Sequence, residues 1–565
     1  MSPRLPDKLP LKRTSLGDAR HEGVAADAAP GAGGPGKVIL RLRNRRVLGA
    51  VAAVVVIVLV VLIASSGGQA VTPPATGAAS VVPSDVLAYI HLSTDDSRAP
   101  VKSALALLGR FPGYPQLLLR DDLAAWLGAT RSGRAVNFDR DIRPWLGKEA
   151  ALAILDTGTS TAGSLVVIGV GNRPAAARFI AGLPSDGSAS YRGTKITGHP
   201  RADDSAFVGH YLVLGHAAAI RAAIDVAAGR APSLSEYPVY QRAAASEPAG
   251  RVVDAYFSAA GVTRLVASQG GLVGEAGALI YQATLQGVGL ALTPASGGVQ
   301  VAIRSVFDPQ IARTRAASFT PSLPSSIPAG ADLFLDLTGL NKTLPRVLKT
   351  TGIGGRIPEL LKRLGIALEA QGISVKQDIA SLFERESAVV VSTPGGSPVL
   401  TVIARTPAPD QTRTVFAQLE LPFARLFAPV GNAAGRAPVF NQVTVAGVTA
   451  HQLVVAPGLQ FDYAVFDNEL VLSTSLAGIA GVARHGSSIL DEAAYRATLG
   501  NHPASITSLL FLDLNQLLRV GEQTGLMTGA QFRALKPDLD RVRAIGFVST
   551  SGEAESTAEL SLQIP

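Results

Sequence analysis

Cysteine is absent from the 565-residue sequence, which excludes disulfide scaffolds, cysteine-ligated zinc, iron–sulfur clusters and a catalytic thiol. Aromatic residues make up only 5% and charged residues only 17%, although charged residues are about a quarter of an average soluble domain. So few aromatic residues leave no dense platform for stacking nucleobases or sugars. Hydrophobic residues, at 47%, suffice for more than one core. The composition therefore predicts globular domains without an extended nucleic-acid surface.

The net charge of +8 is concentrated near the N-terminus. Residues 1–46 contain ten Lys or Arg against four Asp or Glu, whereas the remainder contains 41 against 39. Half of the N-terminal basic residues lie just before an uncharged run, namely Lys37, Arg41, Arg43, Arg45 and Arg46. We predict that residues 1–46 form a disordered cytoplasmic tail, and that its basic cluster contacts anionic lipid headgroups rather than nucleic acid.

The uncharged run at residues 47–64 predicts a transmembrane helix. Its eighteen residues would form a helix about 27 Å long, close to the thickness of a bilayer's hydrocarbon core. Basic residues on its N-terminal side predict an uncleaved, single-pass signal anchor in the cell membrane, with the N-terminus cytoplasmic and the C-terminal region outside. A cleaved signal peptide is the alternative, because Gly68-Gln69-Ala70 resembles a cleavage site. Residues 65–82 are rich in Gly, Ser, Pro and Ala and predict a flexible linker.

Five segments of the remaining chain recur in the same order, which favours an internal duplication. The clearest pair is Pro83–Leu92 with Pro328–Leu337, which align without gaps as apolar strands that begin at proline. The other four pairs are Glu149–Ile154 with Glu386–Val391, His210–Leu214 with Asn468–Leu472, Ser233–Tyr240 with Ser488–Tyr495, and Asp254–Phe257 with Ser508–Phe511. Chance similarity between generic strands is the alternative, but it does not account for the shared order.

Short apolar strands alternate with Ala-rich helical stretches, which favours an α+β fold with half-buried antiparallel strands. Together with the transmembrane helix, the sequence predicts two duplicated antiparallel-sheet-plus-helix domains outside the cytoplasm. The first would span residues 83–310 and the second residues 327–565, joined by a linker at 311–326. A hairpin is predicted near the end of each, at Gln286–Phe307 and at Arg541–Ile564, because Gly-containing turn signals separate two alternating runs.

Three motifs in the first repeat resemble an uncharacterised bacterial family, domain of unknown function 3352, which is abundant in actinobacteria. They are Val82–Thr94, the turn Arg110–Pro115 and the segment Phe138–Gly147. The resemblance implies a basic cytoplasmic tail, one membrane span, a large duplicated outer region and an actinobacterial source. It implies no activity, cofactor or site residue.

One glycine pattern in the first repeat is a near-match to a dinucleotide-binding turn. Gly169-Val-Gly171-Asn-Arg-Pro174 follows a predicted strand and precedes a predicted helix, but Pro174 replaces the third glycine. Proline is common in the first turn of a helix, and the second repeat has Pro407 at this point without the glycines. A helix start therefore explains the pattern better than a cofactor site, and no cofactor is predicted.

The eight histidines include one cluster, His199, His210 and His216, with Asp203 and Asp204 between them. His210 and His216 are six residues apart along a predicted strand and so project from one face. Zinc accepts such ligands, but Asn468 and Thr474 occupy the corresponding positions of the second repeat. No metal site is predicted, and these three histidines remain minor candidates.

Common hydrolase motifs, HExxH, GxSxG and SxxK, are absent from the sequence. The leading hypothesis is therefore a membrane-anchored protein whose duplicated region acts outside the cytoplasm without catalysis. It would bind a protein or an envelope component at the groove between the repeats. A hydrolase with a triad assembled from distant residues, or with a metal site, confined to one repeat, is one alternative. A carrier of lipid or another hydrophobic ligand is the other, and it would require a large apolar cavity.

Overall fold

The computed structural model describes residues 72–111, 138–155, 163–200, 203–245, 247–266, 284–310, 317–341, 366, 369, 379–427, 438–523, 530–552 and 554–565. All described residues belong to one compact unit, Val47–Pro565. The predicted cytoplasmic tail, with Lys37, Arg41, Arg43, Arg45 and Arg46, lies outside the described residues, as does the predicted span at 47–64.

The predicted transmembrane helix is not supported. No helix within the described ranges is long and apolar enough to cross a membrane. The longest helix described there has seventeen residues, carries Asp410 and Arg413 on exposed positions, and contains a proline, Pro422. The prediction of one membrane span as part of the fold is therefore corrected to a fold of strands and short helices.

Twenty strands are described, ten in each half of the chain. The first half, residues 72–310, contains β1 (Val86–Ser93), β2 (Leu146–Leu155), β3 (Gly163–Val170), β4 (Gly187–Tyr191), β5 (Thr194–Gly198), β6 (Asp204–Val208), β7 (Tyr211–Gly215), β8 (Val253–Ser258), β9 (Leu285–Ala295) and β10 (Gly298–Phe307). The second half, residues 317–565, contains β11 (Ala331–Thr338), β12 (Glu386–Ser392), β13 (Val399–Arg405), β14 (Phe440–Val445), β15 (Val448–Ala456), β16 (Leu459–Phe466), β17 (Glu469–Ser473), β18 (Ser508–Asp513), β19 (Ala544–Ser551) and β20 (Glu555–Gln563).

All twenty strands join one antiparallel sheet. Their spatial order is β4-β5-β6-β7-β3-β2-β1-β8-β9-β10 in the first half, continued by β20-β19-β18-β11-β12-β13-β17-β16-β15-β14 in the second. Read outward from the middle, the second half repeats the order of the first, strand for strand. The sheet is therefore pseudo-symmetric about the pairing of β10 with β20, called the seam below.

Nine helices longer than one turn are described along the chain. They are α1 (Ala99–Leu108), α2 (Arg173–Ala181), α3 (Ala217–Ala227), α4 (Pro238–Ala244), α5 (Pro409–Arg425), α6 (Leu476–Ala483), α7 (Ala493–Leu499), α8 (Leu514–Gln523) and α9 (Ala530–Leu539). Short 3₁₀ turns precede the first strand of each half, at Gly77–Val81 and Leu323–Ser325. Two others, Leu234–Glu236 and Ile489–Asp491, precede α4 and α7.

The sequence predicted two separate sheet-plus-helix domains, but the two halves share one sheet. Strands β10 and β20 pair along nine residues, from Gly298 opposite Gln563 to Val306 opposite Glu555. Each strand would be an open edge of its own half, and an exposed edge offers unpaired N–H and C=O groups to a neighbour. Pairing at the seam satisfies both edges, so the predicted pair of domains is corrected to one continuous sheet with two equivalent halves.

The seam is centred on Ala302 and Glu559, which face each other. Ala302 also faces Ala291 of β9, and Glu559 faces Val548 of β19. The two residues thus have the same position in the two halves. The hairpins predicted at Gln286–Phe307 and Arg541–Ile564 are confirmed as β9–β10 and β19–β20, and Gly297 gives the first its turn because its φ of +73° suits glycine.

One buried cluster ties the halves together on the sheet face that α1 covers. It contains Val101 and Leu107 of α1, Val299 and Val301 of β10, and Leu562 of β20. Full burial of one such aliphatic side chain contributes about 1.5–3 kcal/mol. The seam is therefore stabilised by apolar packing beneath α1 as well as by strand pairing.

Candidate functional site

A groove lies on the opposite face of the sheet, directly over the centre of the seam. Its volume is about 220 Å³. The floor consists of residues that share that face of β9, β10, β20 and β19: Gly289, Ala291, Ala302, Arg304, Thr557, Glu559, Val548 and Thr550. Small side chains at the centre leave the space that forms this seam groove.

Two equivalent helices flank the seam groove. Ala243, Ala245 and Glu247, at and after the end of α4, form one wall, and Pro503 after α7 contributes to the other. Glycine allows each helix to approach the sheet closely. A Cβ on Gly289 would lie 2.4 Å from the carbonyl oxygen of Ala243. A Cβ on Gly546, the equivalent glycine of β19, would lie 2.7 Å from Cβ of Thr498 in α7.

The polar side chains of the groove are unevenly distributed. Arg304 of β10 forms an ion pair with Glu555 of β20. Thr550 and Thr557 hydrogen-bond to each other through their hydroxyl groups, 2.7 Å apart. Glu559 accepts a longer hydrogen bond, 3.3 Å, from the hydroxyl of Ser561. Charged groups and hydroxyls therefore lie beside small apolar side chains on the same floor.

The wall residue Glu247 belongs to a buried network that extends into the core of the first half. Its Oε2 lies 2.9 Å from Nε of Arg251, and the same Nε lies 3.2 Å from Oδ1 of Asp254. Asp254 Oδ1 in turn accepts a hydrogen bond from Nδ1 of His91, at 2.9 Å. On the far side, His91 Nε2 lies 3.5 Å from Oε2 of Glu149. The five side chains form an unbroken chain of ionisable groups from the groove to β2.

Burial and neighbouring charges shift the pKa values along this network. Burial alone would lower the pKa of His91, but its hydrogen bonds to Asp254 and Glu149 raise that pKa to about 9. Burial opposes the ionisation of Glu149, yet hydrogen bonds from His91, Ala78 and Tyr211 keep its pKa below the usual value. His91 is therefore a cation held between two carboxylates.

The pKa of Glu247 is raised, in contrast to that of Glu149. Burial is the main cause, the negative charge of Asp254 adds to it, and together they raise the pKa of Glu247 to about 8. The positive charge of Arg251 opposes the shift but does not cancel it. Near neutral pH, the groove wall therefore carries a carboxyl group that is largely protonated and ready to lose its proton.

The network cannot perform acid–base chemistry on a substrate at His91, because that side chain has no exposed surface. A catalytic base must reach the proton it removes, directly or through one water. Of the network's side chains, Glu247 alone lines the seam groove. The geometry supports binding and exchange of one proton in the groove, and it contains no nucleophile paired with an accessible base among the described groove residues.

The second half replaces this network with a different one. Asp336 of β11 is fully buried at the position that His91 has in β1. Burial, and then the negative charge of Glu386, raise the pKa of Asp336 to about 9. Glu386, the counterpart of Glu149, accepts a hydrogen bond from the backbone N–H of Leu323 at 2.8 Å. A neutral carboxyl group thus stands where the first half has an imidazolium.

The three candidate histidines are not brought together. His210 and His216 flank the two ends of β7, and six residues of extended chain span about 20 Å, too far for ligands of one ion. His199 is buried, with Nδ1 2.8 Å from the carbonyl oxygen of Pro184 and Nε2 2.8 Å from Oγ of Ser205. No group of three or more potential ligands that could hold a metal occurs in the described part of the chain.

The glycines of the Gly169–Pro174 segment have a packing role. A Cβ on Gly169 would lie 3.0 Å from the carbonyl oxygen of Glu149, and one on Gly171 would lie 3.0 Å from the carbonyl oxygen of Leu146. Asn172 caps α2, because its side chain accepts a hydrogen bond from the backbone N–H of Ala175. The segment allows β2 and β3 to approach and then starts the helix, as the proline suggested.

Sequence reasoning missed His91, Asp254, Glu247 and Glu559. Three of them stand in or beside apolar strands whose pattern does not reveal a buried partner far away in sequence. One signal was present: Glu149 and Glu386 occupy the same position in the duplicated segments. Both carboxylates have the same structural role: each accepts a hydrogen bond from a backbone N–H of the 3₁₀ turn before the first strand of its half.

A second depression, of about 380 Å³, lies beside the turn Leu234–Glu236 and the end of α3. Its carboxylate, Glu236, accepts a hydrogen bond from the hydroxyl of Ser233 at 3.0 Å as part of a capping box. That local pairing gives Glu236 a structural role. The seam groove, which combines an apolar floor with acidic groups, is therefore the better candidate site.

Fold and site together define a protein of two equivalent ten-strand halves with a groove at their junction. Its sequence matches the family described as "Protein of unknown function (DUF3352)" over residues 47–564, and the chain belongs to that family. The resemblance drawn from the three motifs of the first repeat is thereby confirmed, while an actinobacterial source stays a prediction. No curated protein matches the sequence.

Solved structures with detectable similarity include three crystal forms of TP0453. Form I has a TM-score of 0.26 at 12% identity, covering 49% of this chain and 86% of its own. Forms IV and III each have a TM-score of 0.25 at 12% identity; they cover 42% and 43% of this chain and 81% and 83% of their own. TM-scores this low do not establish a shared fold.

Proposed function

We propose that this protein is a non-catalytic binding protein and that its ligand occupies the seam groove. The observation that carries the proposal is the position of the groove: it lies on the pseudo-symmetry axis, where both halves contribute walls and floor. Ligand sites are typically concave, with an apolar surface and a few convergent polar groups. The seam groove has this composition, with Ala291, Ala302 and Val548 beside Glu247 and Glu559.

The alternatives suggested by the sequence fit the groove less well. A carrier of lipid needs a large apolar cavity, whereas this groove has a volume of only about 220 Å³ and carries charged residues and threonines beside its apolar ones. A hydrolase needs a nucleophile paired with an accessible base, whereas the described groove residues contain no such pair and His91 has no exposed surface. Binding requires neither feature.

Blocking the groove tests the proposal. Small alcohols, amines and carboxylates would be screened by saturation-transfer NMR against the full-length protein and against Ala302→Trp, in which the indole fills the centre of the floor. Ala417→Trp is the matched control, because Ala417 is exposed on α5. We expect binders that are lost in Ala302→Trp and retained in Ala417→Trp.

Two results would overturn the proposal. Fragments that bind equally to Ala302→Trp would place the site elsewhere. Hydrolysis of a chromogenic ester that disappears in His91→Gln, while the folded fraction stays unchanged, would show that the buried network serves catalysis.

A further inference from the structure

The charges of the seam groove break the symmetry of its backbone. Glu559 stands where the first half has Ala302, and Arg304 stands where the second half has Ser561. Glu247 lines the first wall, whereas the residue lining the opposite wall is Pro503. The groove therefore has two equivalent backbone sides but distinct side-chain chemistry, as a site for one asymmetric ligand requires.

The balance of these charges is negative. Of the described residues that line the groove, Arg304 alone is cationic, and it forms an ion pair with Glu555. Glu559 accepts its hydrogen bond from the hydroxyl of Ser561 rather than from a cation. Glu247 pairs with the guanidinium of Arg251, which Asp254 also contacts, so Glu247 has no cation to itself. A ligand with a positive charge would complete this set.

We propose, as a refinement that rests on the function proposed above, that the ligand of the seam groove carries an amine. Its ammonium group pairs with the carboxylates of Glu247 and Glu559, and its apolar part packs on Ala291 and Ala302. The hydroxyls of Thr550 and Thr557 offer further acceptors on the same floor. The cavity of about 220 Å³ suits a small amine or the amine-bearing end of a larger molecule.

Binding of an amine is then linked to a proton. Arg251, Asp254 and His91 face Glu247 from the network, Tyr240 contributes from α4, and Arg304 and Glu559 line the groove with it. The pKa of Glu247 is raised to about 8, so near neutral pH the carboxyl group must lose a proton before it pairs with an ammonium. Affinity for the amine should therefore rise with pH and level off above about pH 8.

Three probes of one shape test the charge preference: benzylamine, benzyl alcohol and benzoate, titrated calorimetrically into the full-length protein. We expect benzylamine to bind about tenfold more tightly than benzyl alcohol, and benzoate to bind most weakly. Above about pH 8, where Glu247 has lost its proton, Glu247→Gln and Glu559→Gln should each weaken benzylamine about tenfold and leave benzyl alcohol unchanged. In Glu247→Gln the rise of affinity with pH should disappear, while the titration of the probe itself is the same for both proteins.

The outcomes separate the refinement from the proposed function. If all three probes bind alike and all are lost in Ala302→Trp, the seam groove is a binding site and the amine preference is wrong. If benzylamine binds tightly but is unaffected by both Glu→Gln variants, the assigned carboxylates are wrong. If none of the probes binds, both proposals are overturned.

Discussion

His91 on β1 and Asp336 on β11 occupy the same position in the two halves of the sheet. His91 faces Ala151 of β2 and Asp254 of β8, and Asp336 faces Ala388 of β12 and Leu509 of β18. Neither side chain has any exposed surface. The first half meets the cost of this buried polar position with two carboxylates around a cation, and the second half meets it by keeping the carboxyl group neutral.

Stability should fall as the pH rises from about 6.5 to about 9. Asp336 holds a proton in the folded state up to a pKa of about 9, whereas the unfolded chain releases it near pH 4. His91 holds its proton to about the same pH, whereas an unfolded histidine releases it near pH 6.5. For both groups the folded state binds the extra proton, so raising the pH favours unfolding by about tenfold per pH unit for each.

The variant Asp336→Asn isolates one of these contributions. An amide has no proton to lose, so the decline of the unfolding free energy between about pH 4 and about pH 9 should become shallower by about one proton. Urea unfolding at several pH values measures the slope. An unchanged slope would show that Asp336 is ionised in the folded protein, contrary to its buried setting beside Glu386.

Removal of the buried cation should be severely destabilising. In His91→Leu, the carboxylates of Asp254 and Glu149 lose their shared partner, and breaking a buried ion pair costs about 3–5 kcal/mol. His485 offers a matched comparison, because its Nε2 lies 3.1 Å from Oδ2 of Asp467 in an exposed pair. His485→Leu should change the unfolding free energy by less than about 1 kcal/mol. Equal effects of the two substitutions in urea unfolding would contradict the assigned role of His91.

Close approach of α4 and α7 to the sheet predicts which glycines resist substitution. Gly289→Ala and Gly546→Ala would each force a Cβ into a helix, and overpacking of this kind costs about 1–3 kcal/mol. Gly486 has open space around its Cα, so Gly486→Ala should be nearly neutral. Thermal unfolding of the three variants measures the difference. Gly289→Ala and Gly546→Ala should also bind groove ligands more weakly, because the displaced helices α4 and α7 flank the seam groove.

Apolar packing should contribute more to the seam than its ion pair does. Leu562 is buried opposite Val299, and Leu562→Ala should cost about 2–5 kcal/mol through lost burial and a residual cavity. Arg304 and Glu555 are partly exposed, so Arg304→Ala should cost about 1 kcal/mol or less. A larger loss of unfolding free energy for Arg304→Ala than for Leu562→Ala would reverse this ranking.

Local structure could be predicted from the sequence, whereas contacts between residues distant in sequence could not. Alternating apolar residues and Gly-containing turns identified the hairpins β9–β10 and β19–β20, because those signals act within a few residues. The pairing of β10 with β20 was missed. Both strands have the alternating pattern of any half-buried strand, and that pattern does not specify which strand is the neighbour. The residues that line the groove were missed for a similar reason: Glu247 and Glu559 line one groove because α4 approaches the seam, which no local pattern encodes.

The register of the seam has a consequence for how such a chain could arise. Ala302 faces its own counterpart, Glu559. The two antiparallel strands β10 and β20 are therefore related by a two-fold axis that passes between these two residues. A lone ten-strand half could therefore form the same junction with a second identical copy, as a two-fold homodimer with an isologous interface. In a homodimer two equivalent positions must carry the same residue type. After covalent fusion of two copies, the two positions can differ. A glutamate could appear on one side of the axis without being forced against its own like charge on the other.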